Sequence, residues 1–300
     1  MALPGGEITD VRSPRVKAAM RLQKRSFREH DRAFLAEGAQ AVREALAVSA
    51  PAGVVREIFC TAQASERSAD LISQARERGV PVHQASGRVL AELSDTVTPQ
   101  GLIAVCDLIH VEFEQALAAA PADIGAATGA DGARTHAARL VVLLSAVRDP
   151  GNAGTVLRTA DAAGADAVAF SDSSVDPYNG KCVRASAGSI FHLPIAIGVQ
   201  ILPAIDDLRR RGYQVFAADG APPTESLEAI ERAGILAKPT AWIFGNEAWG
   251  LPPAILQAAD RTVGVPIHGR AESLNLAAAA AVCLYASARA QRAATSESQR

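Results

Sequence analysis

The amino-acid sequence predicts a two-domain α/β protein, and its length and the order of its apolar runs carry that prediction. The chain has 300 residues, enough for a large core and two domains. Short apolar runs alternate with helical patterns, which is typical of sheets flanked by helices. An alanine- and glycine-rich stretch interrupts the alternation. We expect a first domain over 1–110, a flexible linker over 111–138, a second domain over 139–290 and a polar tail over 291–300.

Composition excludes several classes of protein. A hydrophobic share of 49% with 21% charged residues is ordinary for a soluble globular chain. The net charge of −2 gives no overall basic field, so any nucleic-acid contact must come from a local patch. The four cysteines lie far apart without metal-ligand spacing, which predicts reduced thiols and no metal site. The chain shows neither a signal-peptide pattern nor a long apolar run, so we expect a cytoplasmic protein without a membrane span.

The first domain begins with a locally basic stretch over 11–32. Ser13 and Pro14 predict a helix start, with the serine as N-cap and the proline in the first turn. A cationic face either is simply solvated or binds RNA phosphates, and the excess of positive charge favours the second interpretation. The candidate RNA contacts are Arg12, Arg15, Lys17, Arg21, Lys24 and Arg25.

The remaining elements follow from the apolar periodicity. In the first domain we expect strands at 34–38, 54–60, 80–82 and 101–109, and helices through 42–46, 65–78 and 86–93. In the second we expect strands at 140–145, 166–170, 191–198, 213–218, 240–244 and 262–267, and helices at 153–163, 179–186, 201–211, 252–258 and 274–290. The first domain contains no paired catalytic constellation, so the chemistry is expected in the second.

The first of three polar turns in the second domain follows the strand at 140–145. Gly151 and Gly154 let the backbone pass close to a ligand. Asn152 either caps the following helix or points outward as a hydrogen-bonding group. Arg158 lies far enough into the helix to reach back to the turn, although a capped helix with a surface arginine explains this stretch equally well. No P-loop or GxGxxG fingerprint occurs.

Two further polar turns follow later strands. Gly245 and Gly250 bracket Glu247, which is also placed to cap the next helix. Ser273 is a natural N-cap for the alanine-rich final helix, and Asn275 would project from its first turn. Because ligands bind beyond the carboxyl ends of parallel strands, we expect the three turns to converge on one site. Their residues form neither a Ser-His-Asp set nor a glycosidase carboxylate pair.

In this order the turns resemble the three signature motifs of the SpoU branch of the SPOUT methyltransferases. The shared patterns are an asparagine turn followed by an arginine helix, a Gly-Asn-Glu turn and a loop that ends Ser-Leu-Asn. The segment 176–189 is also typical of the branch, and the resemblance covers about 139–290. More weakly, 11–50 resembles the substrate-binding domain of these enzymes, which is similar to small ribosomal proteins that bind RNA.

This resemblance implies a fold, a methyl donor and an assembly. The second domain would hold a deep trefoil knot around a parallel sheet, use S-adenosylmethionine without a metal, and form a homodimer. The cofactor would rest against the backbone at Gly245, Val265 and Leu274. The reacting ribose would be surrounded by Asn152, Arg158, Glu247, Ser273 and Asn275.

The reaction implied is methylation of a ribose 2′-hydroxyl in RNA. Because an arginine pKa lies above about 12, we interpret Arg158 as an electrostatic stabiliser of the developing alkoxide rather than as a base. A separate N-terminal domain favours ribosomal RNA of the 23S type as substrate. The alternatives are a tRNA 2′-O-methyltransferase, a noncatalytic RNA-binding protein on the same scaffold, and an unrelated α/β nucleotide enzyme.

Overall fold

The computed structural model describes residues 6–49, 53–118, 140–221 and 224–298. The helices are α1 (Pro14–Arg21), α2 (Arg25–Asp31), α3 (Ala39–Ala47), α4 (Ala62–Arg67), α5 (Ala69–Glu77), α6 (Gly87–Leu93), α7 (Phe113–Ala118), α8 (Pro150–Ala163), α9 (Gly180–Ala185), α10 (Ile201–Arg210), α11 (Leu227–Arg232), α12 (Pro253–Ala258) and α13 (Leu276–Ser298). The strands are β1 (Ala33–Glu37), β2 (Val55–Cys60), β3 (Val82–Gln84), β4 (Leu102–Asp107), β5 (Leu140–Leu144), β6 (Ala167–Ser171), β7 (Ile195–Val199), β8 (Gln214–Ala218), β9 (Glu225–Ser226), β10 (Thr240–Phe244) and β11 (Arg261–Gly264). Short 3-10 turns lie at Ser189–Phe191 and Ile235–Ala237.

The described residues form two compact units. The first contains the chain up to Ile109 together with Asp176–His192, and the second contains His110–Val175 and the chain from Leu193 onward. The expected α/β alternation is present in both, which confirms the predicted fold class.

A four-stranded sheet forms the centre of the first unit, in the order β1-β4-β2-β3. Strand β4 runs antiparallel to both neighbours, and β3 pairs with β2 in parallel. The predicted start of α1 is confirmed, because the Ser13 hydroxyl accepts a hydrogen bond from the Val16 N–H and Pro14 stands in the first turn. The basic stretch is nevertheless two helices, α1 and α2, separated by residues 22–24.

The segment Asp176–His192 packs within this first unit, whereas the sequence placed it in the second domain. Arg28, which is only 4% exposed, donates from Nε and Nη2 to Asp176 Oδ2 at 2.8 and 2.7 Å. The Ile109 N–H donates to the hydroxyl of Tyr178 at 2.9 Å. Because this ion pair is buried, Arg28 does not belong to the exposed basic face, although it lies within the basic stretch of the sequence.

The second unit is built on a seven-stranded sheet in the order β7-β6-β5-β10-β8-β11-β9, and every neighbouring pair is parallel. All residues of β5 and β10 are buried, as expected when helices cover both faces of a parallel sheet. The fully buried Trp242 of β10 donates from its indole N–H to Ser287 of α13 at 2.9 Å. None of the described helices is long and apolar enough to cross a membrane.

The structure differs from the sequence prediction at both ends of this domain. Residues 113–118 of the expected linker form α7, because Ala116 and Leu117 are buried in the core of the second unit. The remainder of that linker, 119–138, lies outside the described residues. The expected polar tail is helical up to Ser298, where α13 ends.

Candidate active site

The three polar turns lie at one edge of the parallel sheet of the second unit. Strands β5, β10, β8 and β11 are consecutive neighbours, so their carboxyl ends are adjacent. A cavity of about 980 Å³ opens at this edge. Its lining comes from residues 218–221, 224, 226, 244–248, 250, 263–267, 272–276, 279 and 283, together with Asn152.

Asn152 connects the three turns. Its side-chain amide donates to Glu247 Oε1 at 3.1 Å, and its oxygen accepts a hydrogen bond from the side-chain amide of Asn275 at 3.0 Å. Asn152 is free to do this because Asp149 caps α8, accepting a hydrogen bond from the Asn152 backbone N–H at 2.8 Å. The predicted convergence of the three turns is therefore confirmed, and Asn152 reaches outward rather than capping.

Glu247 is an acceptor for three N–H donors of the first turn. Besides Asn152, the backbone N–H groups of Asp149 and Arg148 donate to its carboxylate at 3.2 and 3.3 Å. Partial burial alone would raise the pKa of Glu247, but these hydrogen bonds outweigh it and hold the pKa below its ordinary value. Glu247 thus joins two turns as a carboxylate and does not cap α12, whose N-cap position is Pro252.

The Gly-Asn-Glu turn is closed on itself. Asn246 and Gly250 exchange two backbone hydrogen bonds of 3.0 Å. A Cβ at Gly245 would lie 2.5 Å from the carbonyl carbon of Gly250, so only glycine fits there. The buried Asn246 side chain donates to the carbonyl of Ala146 at 2.7 Å and accepts from the Ala248 N–H at 2.8 Å.

Sequence reasoning gave Asn246 no role of its own. The role could not be predicted from residue types, because the partner is the backbone carbonyl of Ala146 and not a side chain. Ala146 has a φ of 55°, an uncommon backbone conformation for a residue other than glycine. One sequence feature could have indicated this role. Asn246 is a short polar residue just after a buried strand, and parallel strands end side by side.

Asn275, and not Ser273, begins the final helix. The Asn275 side-chain oxygen accepts a hydrogen bond from the Ala277 N–H at 2.9 Å, while its amide reaches Asn152. Ser273 is exposed and lies in the loop before the helix, where it lines the cavity. The prediction of Ser273 as N-cap is wrong because α13 starts at Leu276, three residues later.

Arg158 does not lie with the other predicted residues. It is exposed on α8 and is not part of the cavity lining. Within the described part of the chain its guanidinium has neither a hydrogen-bond partner nor an ion-pair partner. The arginine therefore presents all of its donors to solvent.

The predicted cofactor contacts all line the cavity. Gly245 lies in the turn after β10, whereas Val265 and Leu274 lie near the two ends of the loop between β11 and α13, where the Leu274 side chain is partly exposed. Asp219, which the sequence did not single out, adds a carboxylate at the end of β8. The lining thus combines apolar side chains, backbone groups of glycine-containing turns and three acidic residues, Asp219, Glu247 and Glu272.

The predicted RNA-binding cations lie on α1, α2 and their flanks in the first unit. Three of them carry acidic partners: Arg12 pairs with Asp10, Arg15 with Glu57, and Arg25 with Glu29. The guanidinium of Arg21 stacks over the Phe27 ring at 4.0 Å, and Lys17 and Lys24 are exposed. The basic face therefore carries fewer unpaired positive charges than the sequence suggests.

Known proteins share both units. The family model described as "SpoU rRNA Methylase family" matches residues 139–285, and the "MRM3-like substrate binding domain" matches residues 13–104. The chain is 34% identical over 283 residues to the 23S rRNA (guanosine(2553)-2′-O)-methyltransferase of Bacillus subtilis, covering 93% of this chain and 98% of that protein. The chain belongs to the SpoU rRNA methylase family.

Solved structures of RNA methyltransferases extend the likeness to the fold. The AdoMet-bound rRNA methyltransferase from Sinorhizobium meliloti is 27% identical, with a TM-score of 0.74 and coverage of 95% of this chain and 97% of that one. A structure described as an RNA 2′-O ribose methyltransferase is 30% identical, with a TM-score of 0.72 and coverage of 96% and 100%. The trefoil knot implied by the sequence motifs stays a prediction.

Proposed function

We propose that this protein transfers a methyl group from S-adenosylmethionine to a ribose 2′-hydroxyl in ribosomal RNA. The contact of Asn152 with both Glu247 and Asn275 carries the proposal. It joins the three SpoU motifs at the mouth of a cavity of about 980 Å³. The related Bacillus subtilis protein is a 23S rRNA 2′-O-methyltransferase, and the Sinorhizobium meliloti structure contains the same methyl donor.

The cavity suits the methyl donor. Pockets for ligands of this size are mostly apolar, with a few placed polar groups. Leu274 and Val265 offer apolar surface to an adenine ring, and the closed turn at Gly245 offers backbone groups. The Asp219 carboxylate is an acceptor for hydroxyl or ammonium groups. When bound, S-adenosylmethionine supplies a methyl group on a positively charged sulfur.

The residues of the chain position the ribose and stabilise charge. Glu247 is a poor base, because its pKa is lowered and its carboxylate already accepts three N–H donors. We assign it, with Asn152 and Asn275, to holding the loops that orient the ribose. The exposed Ser273 beside them is placed to bind a ribose hydroxyl.

Arg158 has the chemical properties needed at the reacting oxygen. A 2′-hydroxyl is a weak nucleophile, and its oxygen gains negative charge as it loses its proton and forms the new bond to carbon. A guanidinium stays protonated and stabilises such an oxygen electrostatically. Arg158 carries no acidic partner among the described residues, so its charge is available to a substrate.

We also propose a homodimer formed through the second unit. Arg158 lies outside the cavity of its own chain, and two large apolar side chains on α13 face solvent: Val282 is 43% exposed and Tyr285 is 44% exposed. Exposed apolar groups close together on one helix mark an interaction surface. Light scattering of the purified protein is expected to give twice the monomer mass, and a monomer would contradict the dimer.

The first unit is proposed to bind the RNA, at the face carrying Arg12, Arg15, Lys17, Arg21, Lys24 and Arg25. Free cations such as Lys17 and Lys24 release counterions from RNA, so binding weakens as salt rises. Replacing both lysines by alanine is expected to reduce the salt dependence of RNA binding by about two counterions. We also propose that the protein acts in the cytoplasm, on ribosomal RNA that is being assembled there.

The experiment uses the full chain, S-adenosylmethionine with a labelled methyl group, and unmodified RNA transcribed in vitro. We expect calorimetry to show cofactor binding and 23S rRNA to incorporate label, whereas a tRNA mixture incorporates little. Cofactor binding with label only in tRNA would move the substrate to tRNA. Binding of RNA without any cofactor binding would make the protein a noncatalytic member of the family.

A further inference from the structure

Trp249 is the most exposed aromatic side chain among those described. It is 58% exposed, while the other tryptophan, Trp242, is fully buried. Tryptophan is large and apolar, so leaving it in water forgoes a favourable burial. An aromatic ring kept in solvent next to an active site is available to a binding partner.

The position of Trp249 is fixed by its turn. The residue lies between Glu247, which contacts Asn152, and Gly250, whose N–H and carbonyl both bond Asn246. The φ of 70° at Gly250 is reached readily only by glycine. The backbone of this turn therefore has little freedom to withdraw the ring from solvent.

Arg148 accompanies the ring. Its guanidinium carbon lies 5.2 Å from the centroid of the Trp249 ring, within the range of a cation–π contact. The Arg148 backbone N–H donates to Glu247, so the arginine is tied to the same carboxylate that joins the catalytic turns. Within the described residues its side chain has no carboxylate partner, and its N–H donors are available to an acceptor outside the chain.

We infer that Trp249 and Arg148 form a stacking surface for a base of the RNA substrate, either that of the target nucleotide or of its neighbour. Proteins recognise unstacked RNA bases with aromatic rings and guanidinium planes, and arginine adds contacts to phosphate. A ribose delivered to Asn152 and Glu247 brings its own base and the adjacent ones to this turn. The inference rests on the proposed function, since it deepens the substrate recognition of that site.

Kinetics separate this role from cofactor binding. With 23S rRNA transcribed in vitro as substrate, Trp249→Ala is expected to raise KM for RNA roughly five- to hundred-fold, because stacking of one base contributes that much. The kcat and the affinity for S-adenosylmethionine stay near wild type. Trp249→Phe keeps a ring and should restore most of the KM. As a matched control, Leu202→Ala removes another exposed apolar side chain, 43% exposed and outside the cavity, and leaves KM unchanged.

Fluorescence tests the contact without any turnover. Because Trp242 is buried, acrylamide quenching reports on Trp249, and the 23S rRNA is expected to protect it. Arg148→Ala should weaken RNA binding and lower its salt dependence by about one counterion.

An unchanged KM in Trp249→Ala, or no protection of the wild-type fluorescence by RNA, would overturn the inference. It would also be overturned if Trp249→Ala lost affinity for the cofactor as much as for RNA. Dissociation of the dimer in Trp249→Ala would make the ring a protein contact and would overturn it as well. If the wild type binds RNA and protects Trp249 but transfers no methyl group, the proposed function fails and the stacking surface stands.

Discussion

The side-chain amide of Asn275 donates a hydrogen bond to the side-chain oxygen of Asn152 at 3.0 Å, across 123 positions of sequence. Asn275 also caps α13, and Asn152 also donates to Glu247. Asn275 thus lies where the loop ends and α13 begins, and it holds Asn152, which in turn contacts the carboxylate of Glu247. The arrangement of the active-site loops therefore depends on where the final helix begins.

Substitutions at Asn275 separate these two roles. Asn275→Asp keeps an oxygen for the Ala277 N–H but removes the amide that donates to Asn152. We expect stability within about 0.5 kcal/mol of wild type and methyl transfer reduced at least roughly ten-fold, the effect of misplacing a substrate-orienting group. Asn275→Ala removes the cap as well and should cost about 1 kcal/mol of stability. Chemical denaturation and initial rates measure the two effects, and a fully active Asn275→Asp would contradict the role of the contact.

Glu247 gives the site a defined pH dependence. Its pKa in the folded protein lies below the ordinary value of 4.5, so its contribution to stability is complete above that pH. The contribution is lost as the pH falls through the lowered folded pKa, because protonation removes an acceptor from the three donors. The stability difference between wild type and Glu247→Gln should therefore shrink as the pH is lowered from about 7 to about 3.5. A difference that stays constant over this range would show that ionisation of Glu247 does not matter.

Gly245→Ala tests the closed turn. The added methyl group would lie 2.5 Å from the Gly250 carbonyl carbon, so the turn must open. We expect a loss of about 1–3 kcal/mol of stability and weaker binding of S-adenosylmethionine, measured by thermal unfolding and calorimetry. Gly269→Ala is the control, since a Cβ there meets nothing within 4 Å. Equal effects of the two substitutions would mean that the close approach at Gly245 is unimportant.

Arg158→Ala should abolish turnover and leave cofactor affinity nearly intact, because the arginine lies outside the cavity. Arg158→Lys keeps the charge but loses the planar fork of donors, and is expected to recover only a small part of the rate. Single-turnover methylation and calorimetry make the comparison. Methylation by Arg158→Ala at a near-normal rate would remove Arg158 from the reaction.

The alternation of elements and the convergence of the turns could be read from the sequence because both follow local rules. A strand with all its residues buried, such as β5, gives a continuous apolar run, and parallel strands end at one edge. The predicted convergence of the turns that carry Asn152, Glu247 and Asn275 needed only that edge, whereas the hydrogen bonds between these side chains were found in the structure.

What the sequence did not reveal depends on distant partners. Arg28 lies in a basic run and is buried only because Asp176 meets it, 148 positions later. Ser273 and Asn275 are equally good caps by residue type. Asn275 is the cap because α13 begins directly after it. Asn246 gained its role from a carbonyl of another loop. Such choices are made by tertiary packing, which local patterns do not encode.

The position of the transferred methyl group tests the proposed chemistry most directly. A 2′-O-methyl group blocks the alkaline cleavage of the adjacent phosphodiester, whereas a methyl group on a base does not. After labelling of unmodified 23S rRNA by the full-length protein, we expect the label in an alkali-resistant dinucleotide, and no label with Arg158→Ala. Label recovered in alkali-released mononucleotides, or no transfer by the wild-type protein, would contradict ribose methylation by this site.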